Sequence, residues 1–195
     1  MNRLINISLI ALILLASCQP SDSYIDLSEN AKELIKFELG DTFQLKNLIT
    51  DEIIELEIIS KDIRYVDGSG PSTGTILDAG GDTYYERGTF RFSDQSNCYS
   101  VSVLVEARSN GNFEFSIGTG DCFGEYLSTT EFNSLGFEYN GEITNINVNG
   151  VEYSETYVLE TFNTAFTNTI FYTKENGIVQ IFDNQIQSAV FTIAE

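Results

Sequence analysis

Runs of alternating apolar and polar residues, separated by short turn sequences, fill most of the chain beyond residue 40. They cover residues 43–48, 53–59, 84–92, 99–107 and 113–117. A period of two places the apolar side chains on one face of a strand. No long amphipathic helix pattern lies between these runs, so consecutive strands are expected to pair as antiparallel hairpins. We therefore predict an all-β fold built from hairpins, either an antiparallel barrel or a two-sheet sandwich.

Two Asn-Gly dipeptides mark hairpin turns in the second half of the chain. The first, Asn149-Gly150, lies between alternating runs and is typical of a two-residue type I′ turn. This loop length gives the cross-strand pairs Val148 with Val151 and Ile146 with Tyr153, so apolar residues face each other. The second, Asn176-Gly177, predicts a similar hairpin. Its pairs would be Tyr172 with Ile181 and Phe171 with Phe182.

A third hairpin predicts a disulfide. A three-residue loop at 109–111, with Gly111 in the left-handed region, pairs Ala107 with Phe113 and keeps the apolar faces together. Extending this register places Cys98 directly opposite Cys122. The start of the chain, described next, predicts export to an oxidising compartment, where an even pair of cysteines favours a disulfide over two free thiols.

The start of the chain carries an export signal. Arg3 precedes an apolar stretch, residues 4–15, that is too short for a permanent membrane span. The motif that follows, Leu15-Ala16-Ser17-Cys18, resembles the lipobox of bacterial lipoproteins. This resemblance implies that residues 1–17 are a signal peptide, that the Cys18 thiol receives a diacylglyceryl group, and that the new amine is acylated. The alternative is an uncleaved N-terminal helix. Gln19, where inner-membrane lipoproteins often have Asp, favours the outer membrane.

The sequence beyond the signal peptide is expected to form a tether followed by one domain. Residues 18–27 are expected to form the lipidated cysteine and a flexible tether, and residues 28–195 a β-rich domain. A short helix is predicted near residues 28–36, with Ser28 as its N-cap. The Gly/Ser/Asp-rich loop at 67–82 is the best candidate for a subdivision of this domain.

The charge excludes one class of partner. The whole chain carries a net charge of −19, and loss of Arg3 with the signal peptide leaves 9 Lys and Arg against 29 Asp and Glu. Nucleic-acid binding requires clustered basic residues, so it is not expected. Electrostatic attraction to anionic lipid is also excluded, which leaves the acyl groups on Cys18 as the membrane contact. The acids are spread along the chain, which favours a solvated surface over Ca²⁺ sites.

No catalytic motif survives inspection. Residues 70–74 fit the Gly-x-Ser-x-Gly pattern of a nucleophile elbow, but the chain contains no His to activate the serine. The glycines at 68, 70 and 74 have the wrong spacing for a dinucleotide-binding loop. Asp78 and Asp82 supply too few oxygens for Ca²⁺. No catalytic residue, metal ligand or cofactor is therefore assigned.

Three functions remain open. The first is a non-catalytic lipoprotein whose β domain binds a protein or small ligand at the cell envelope. The second is a hydrolase that uses a pair of carboxylates, and the third is a structural accessory of an outer-membrane complex. Residues 171–179 look like a segment of small β-rich lipoproteins, which implies no activity. Several tyrosines offer stacking surfaces for sugar rings, although packing in the core or on a strand face explains them equally well. The candidates are Tyr84, Tyr85, Tyr153, Tyr157 and Tyr172.

Overall fold

The computed structural model of the protein describes residues 22–68, 82–127, 135–161 and 168–194. Strands dominate these ranges, as the alternating sequence predicts. They are β1 (Ser23–Ile25), β2 (Thr42–Asn47), β3 (Ile53–Asp67), β4 (Thr83–Ser93), β5 (Ser100–Ala107), β6 (Phe113–Thr119), β7 (Leu135–Val148), β8 (Val151–Thr161), β9 (Asn168–Thr173), β10 (Gly177–Asp183) and β11 (Ser188–Ile193). The helical pieces are short: α1 (Glu29–Lys32), a 3₁₀ turn (Glu33–Ile35) and α2 (Asp121–Gly124).

The strands form one continuous sheet that closes on itself. Their order is β1-β4-β3-β2-β11-β10-β9-β8-β7-β6-β5, and an additional β4–β5 pairing joins the two ends into a ring. This ring is not a regular barrel, because β4 pairs with β5 only from Arg87 onward and its first residues pair with β1. The β1–β4 pair is parallel, whereas the other strand pairs are antiparallel. The choice between barrel and sandwich is thus decided in favour of a single, irregular ring.

The helical segment near the start of the domain packs against the core. Ser28 is the N-cap of α1, as predicted, and its Oγ accepts a hydrogen bond from the Ala31 amide at 3.3 Å. Leu34 and Ile35 of the 3₁₀ turn are buried. A Cβ on Gly88 of β4 would lie 2.1 Å from Ile35 Cδ1, so the glycine is needed for this close approach. The Tyr172 hydroxyl of β9 donates to the Leu34 carbonyl at 2.7 Å.

Two of the predicted hairpins have the predicted registers. Val148 pairs with Val151, and both Asn149 and Gly150 have positive φ, as a type I′ turn requires. In the β5–β6 hairpin, Ala107 pairs with Phe113, and Gly111 has φ of 79°. The seven β5–β6 pairs continue from there to Val101 with Thr119.

The predicted disulfide is confirmed. Cys98 lies just before β5, and Cys122 lies on α2 just after β6. The two residues are bonded, with their Cα atoms 5.4 Å apart. The disulfide therefore joins the open end of the β5–β6 hairpin, opposite its turn.

The predicted register of the Asn176-Gly177 hairpin is wrong. Tyr172 pairs with Ile178 instead of Ile181, and a later bulge sets Phe171 opposite Gln180 instead of Phe182. The loop consists of three residues, 174–176. Gly177, which follows it as the first residue of β10, has φ of 70°. The backbone N–H of Asn176 donates a hydrogen bond to Thr173 Oγ1 at 3.1 Å. Because Asn176 does not adopt positive φ, the type I′ turn does not form and a three-residue loop replaces it.

The ordered domain also begins earlier than expected. Strand β1 and the buried side chain of Leu27 fall inside the predicted tether, residues 18–27. The Leu27 amide donates to Glu86 Oε2 of β4 at 2.8 Å, which fixes this segment to the sheet. The loop proposed as a subdivision lies mostly outside the described residues. On either side of it, Asp67 of β3 pairs with Tyr84 of β4.

An ion-pair cluster ties β4, β5 and β6 together. Glu106 of β5 is buried, and its carboxylate accepts hydrogen bonds from Arg87 of β4 and from Arg108, the latter at 2.6 Å. Arg108 also pairs with Glu114 of β6. Burying the Glu106 carboxylate is tolerable because two guanidinium groups satisfy it.

Candidate functional site

A cleft of about 610 Å³ lies beside the β5–β6 turn. Four segments line it: the start of α1 with Ser28 and Asn30, the turn at 111–113, the β7 segment with residues 139–141 and Ile143, and Tyr157 of β8. Its volume is within the range of about 300–1,000 Å³ that is usual for small-molecule sites. It is larger than the acidic hollow described below, and it is open to solvent.

A bulge in β7 shapes one side of this cleft. Tyr139 pairs with Leu159 and Ile143 pairs with Tyr157, so three residues of β7 stand opposite Val158 alone. Gly141, in the middle of the three, has φ of 92°, a conformation that favours glycine. The Asn140 side chain accepts a hydrogen bond from the Glu142 amide at 2.9 Å, which supports the turn of the backbone. The bulge carries Asn140 and Gly141 into the cleft lining.

Aromatic rings form the apolar part of the cleft. The rings of Phe113 and Tyr139 are parallel within 4°, with centroids 6.1 Å apart. Tyr139 also contacts Tyr157, whose ring centroid is 5.4 Å away. Burial, and next the neighbouring Tyr157, raise the pKa of Tyr139 above its ordinary value. Its phenol therefore remains neutral and able to donate a hydrogen bond at physiological pH.

Polar side chains near α1 are fixed by a hydrogen-bond chain. Asn30 Nδ2 donates to the Tyr157 hydroxyl at 3.4 Å. Lys174 donates to Asn30 Oδ1 and, at 2.7 Å, to Glu33 Oε2. The hydrogen bond to Lys174 lowers the pKa of Glu33, and the same bond raises the pKa of Lys174, so both stay charged. Lys174 thus holds the Asn30 amide in place while Glu33 neutralises its charge.

None of the ten described residues that line the cleft is an Asp, Glu, Lys or Arg. The lining instead combines aromatic rings with the side-chain amides of Asn30, Asn112 and Asn140. Such a surface can stack on a flat apolar face and exchange hydrogen bonds with hydroxyl groups, because each amide both donates and accepts. Its ten described residues supply no carboxylate, ammonium group or imidazole for general acid–base chemistry.

A second hollow, of about 320 Å³, is acidic. Glu55 and Glu57 of β3 and Asp94, which follows β4, are among its lining residues. Both oxygens of Asp94 accept hydrogen bonds from its own turn, from the amides of Ser96 at 3.2 Å and Tyr99 at 3.0 Å. The Asp94 carboxylate therefore stabilises the backbone of its own turn. In the part of the chain that the structure describes, no three Cys, Asp or Glu side chains are grouped to hold a metal ion.

The residues that the sequence singled out are distributed as follows. Cys18, the predicted lipidation site, lies outside the described residues, as does the serine-containing motif at 70–74. The disulfide Cys98–Cys122 does not line the cleft. Of the tyrosines proposed as stacking surfaces, only Tyr157 lines it, and its side chain is almost entirely buried.

The sequence pattern missed the other lining residues, among them Asn30, Asn112, Phe113 and Tyr139. Only Gly141, a glycine inside the β7 run, signals an irregularity at this point.

Comparison with protein-family models, curated proteins and solved structures finds no match to this chain. Within the described ranges, no helix has the length and apolar character needed to cross a membrane.

Proposed function

We propose that this protein is a membrane-anchored lipoprotein whose β domain binds a small uncharged ligand at the cell envelope without catalysing a reaction. The observation that carries the proposal is the cleft beside the β5–β6 turn, where aromatic rings and amides meet and none of the ten described lining residues is charged. Small-molecule sites commonly combine apolar walls with a few oriented polar groups, and this cleft has that composition.

The anchor rests on the sequence around Cys18. A lipobox-like motif follows an apolar stretch of signal-peptide length. Two or more acyl chains at this residue give stable membrane attachment, which the acidic surface by itself would not provide. The residue after the cysteine, Gln19, favours the outer membrane.

A carboxylate-dependent hydrolase is the second candidate, and the acidic hollow is the observation that favours it. Glycoside hydrolysis needs two carboxyl groups on opposite sides of the bond that is cleaved. Glu55 and Glu57 are two residues apart on one strand, so their side chains project side by side from one face. Asp94, the other acidic residue among the described residues that line this hollow, is bonded to the backbone of its own turn, so ligand binding in the cleft is the better supported function.

Hydrogen–deuterium exchange tests whether the cleft is a binding site. The lipoprotein, held in lipid nanodiscs, would be incubated with the dialysable fraction of its own cell envelope. Binding in the cleft is expected to slow exchange in the β5–β6 turn and in the β7 bulge. The variant Asn112→Asp, which places a charge in the cleft, should lose this protection, whereas Asn110→Asp in the same turn should keep it. Protection confined to other strands would refute the proposal.

A further inference from the structure

We infer that the cleft beside the β5–β6 turn binds a neutral oligosaccharide, with one sugar ring stacked on the aromatic wall and its hydroxyls bonded by the asparagine amides. This inference rests on the proposed function, because it names the ligand class of the same site. It is argued from the charge, the polarity and the ring geometry of the cleft.

Charge excludes ionic ligands. A phosphate or carboxylate would need a cation or several converging amide donors, and the lining residues that the structure describes include no Lys or Arg. The nearby Lys174 is bonded to Asn30 and paired with Glu33. The overall charge of −19 also repels anions. A cationic ligand would need a carboxylate in the lining, which the ten lining residues do not provide.

Polarity excludes a fatty or purely apolar ligand. The cleft is open to solvent, and its amides would lose hydrogen bonds to water beneath a hydrocarbon chain. Neutral ligands that combine an apolar face with many hydroxyl groups suit it better. A pyranose ring has this character, because its axial C–H groups form an apolar face while its hydroxyls point outward. The amides of Asn30, Asn112 and Asn140 offer both donors and acceptors to such hydroxyls.

The aromatic rings decide how a sugar would lie. A ring inserted between Phe113 and Tyr139 would need their planes about 7–8 Å apart, twice the optimal carbon–carbon separation. Their centroids are only 6.1 Å apart, so insertion is excluded. The sugar must therefore stack on an outward ring face, where the cleft is open. The neutral Tyr139 phenol can then donate a hydrogen bond without repelling a hydroxyl oxygen.

Titration calorimetry on the lipoprotein in phosphatidylcholine nanodiscs tests this inference, with empty nanodiscs as the blank. The probes are neutral oligosaccharides of α- and β-linked glucose, mannose, galactose, xylose and N-acetylglucosamine. An oligogalacturonate supplies the acidic comparison and a medium-chain fatty alcohol the apolar one. At least one neutral oligosaccharide is expected to bind, and the two comparison probes are not.

Paired variants locate the binding. Phe113→Leu and Asn112→Asp should each weaken binding of the neutral sugar by about tenfold or more, since they remove the stacking face and an uncharged amide. Phe43→Leu, which alters a half-buried aromatic residue of β2 outside the cleft, should leave the affinity unchanged, as should Asn110→Asp. Melting curves of all four variants show whether they fold.

The other results of these experiments would contradict the sugar inference, the proposed function or both. If the fatty alcohol binds and Asn112→Asp abolishes its binding, while no neutral sugar binds, the sugar inference is wrong and the proposed function stands. If only the oligogalacturonate binds in this way, the uncharged ligand of the proposed function is wrong as well. If a neutral sugar binds equally well to Phe113→Leu and Asn112→Asp, it occupies another surface and the inference is wrong. If no probe binds and the envelope fraction gives no protection of the cleft, both the inference and the proposed function are wrong.

Discussion

Removing the Cys98–Cys122 disulfide is expected to lower stability without changing the native sheet. The double variant Cys98→Ser, Cys122→Ser leaves the seven β5–β6 strand pairs in place. The disulfide lies at the open end of this hairpin, beyond the last pair. Backbone pairing with β4 and β7 holds both strands from their other edges. The change in free energy should therefore come mainly from the greater freedom of the unfolded chain.

The size of the effect follows from the length of the loop that the disulfide closes. The two cysteines are 24 residues apart. For a loop of this length, the chain-entropy relation gives about 3.5 kcal/mol at 25 °C. In a domain of about 150–250 residues, each kcal/mol shifts Tm by about 2–4 °C. The double variant is therefore expected to unfold about 7–14 °C below the oxidised protein.

Thermal unfolding followed by far-UV circular dichroism measures this shift. Reductant should bring the wild-type Tm down to that of the double variant, and it should leave the Tm of the double variant unchanged. Non-reducing mass spectrometry should show a linked peptide pair containing Cys98 and Cys122 in the oxidised protein. Equal melting temperatures for the oxidised protein and the double variant would contradict the entropic account, even with the linked peptide present.

Three further predictions concern the anchor, the ion pairs and a tyrosine. Cys18→Ala should block lipidation, so that the protein leaves the membrane fraction in a high-salt wash; continued membrane retention would contradict the anchor. Glu106→Gln should cost about 1–3 kcal/mol in urea unfolding, because the buried carboxylate satisfies two partly exposed arginines. The matched change Glu114→Gln, at an exposed pair, should cost under about 1 kcal/mol, and equal losses would refute this distinction. The hydrogen bond to Asp26 is the main cause that raises the pKa of Tyr65 to about 12. A raised folded pKa gives stability that is present below pH about 10 and is lost as pH rises toward 12. Asp26→Asn should therefore lower this pKa in an ultraviolet titration, and an unchanged titration would refute the assignment.

Local patterns were enough to predict the registers of two hairpins. At Asn149-Gly150 and at Gly111, the turn residues and the alternation of the flanking strands demand the same pairing. The disulfide follows because it extends one of these registers. In each case the decisive residues lie within about 25 positions of one another, so a single stretch of sequence contains the necessary information.

The Asn176-Gly177 hairpin was predicted wrongly because distant residues stabilise its loop. Lys174, the first residue of the loop, bonds to Glu33, which is 141 residues earlier in the chain. It also bonds to Asn30 of α1. An isolated Asn-Gly pair favours a two-residue turn, but here Lys174, itself almost buried, pairs with the exposed Glu33 and the loop has three residues. No pattern near residue 176 reveals this contact.

Closure of the ring is equally non-local. Strand β11 pairs with β2, setting Ile193 opposite Leu45, and β4 pairs with β5 as well as β3. The short strand β1 adds a parallel pair to the start of β4. Alternation shows that a strand has one buried face but does not identify its neighbours. The sequence therefore predicts the strand class and leaves open whether the sheet closes on itself.

The cleft escaped the sequence pattern for a related reason. The β7 bulge adds two residues, because three residues of β7 face Val158 alone. An insertion of two keeps the odd–even alternation intact, so Tyr139 and Ile143 still belong to the same face as Phe137. A one-residue bulge would have reversed that face and would have been visible as a break in the alternation. As far as Ile143, the strand therefore has the pattern of a regular strand, although its backbone bends away at Gly141, where the positive φ favours a glycine. That bend brings Asn140 and Gly141 into the lining beside Tyr139, so the irregularity that alternation conceals is the one that builds the proposed binding site.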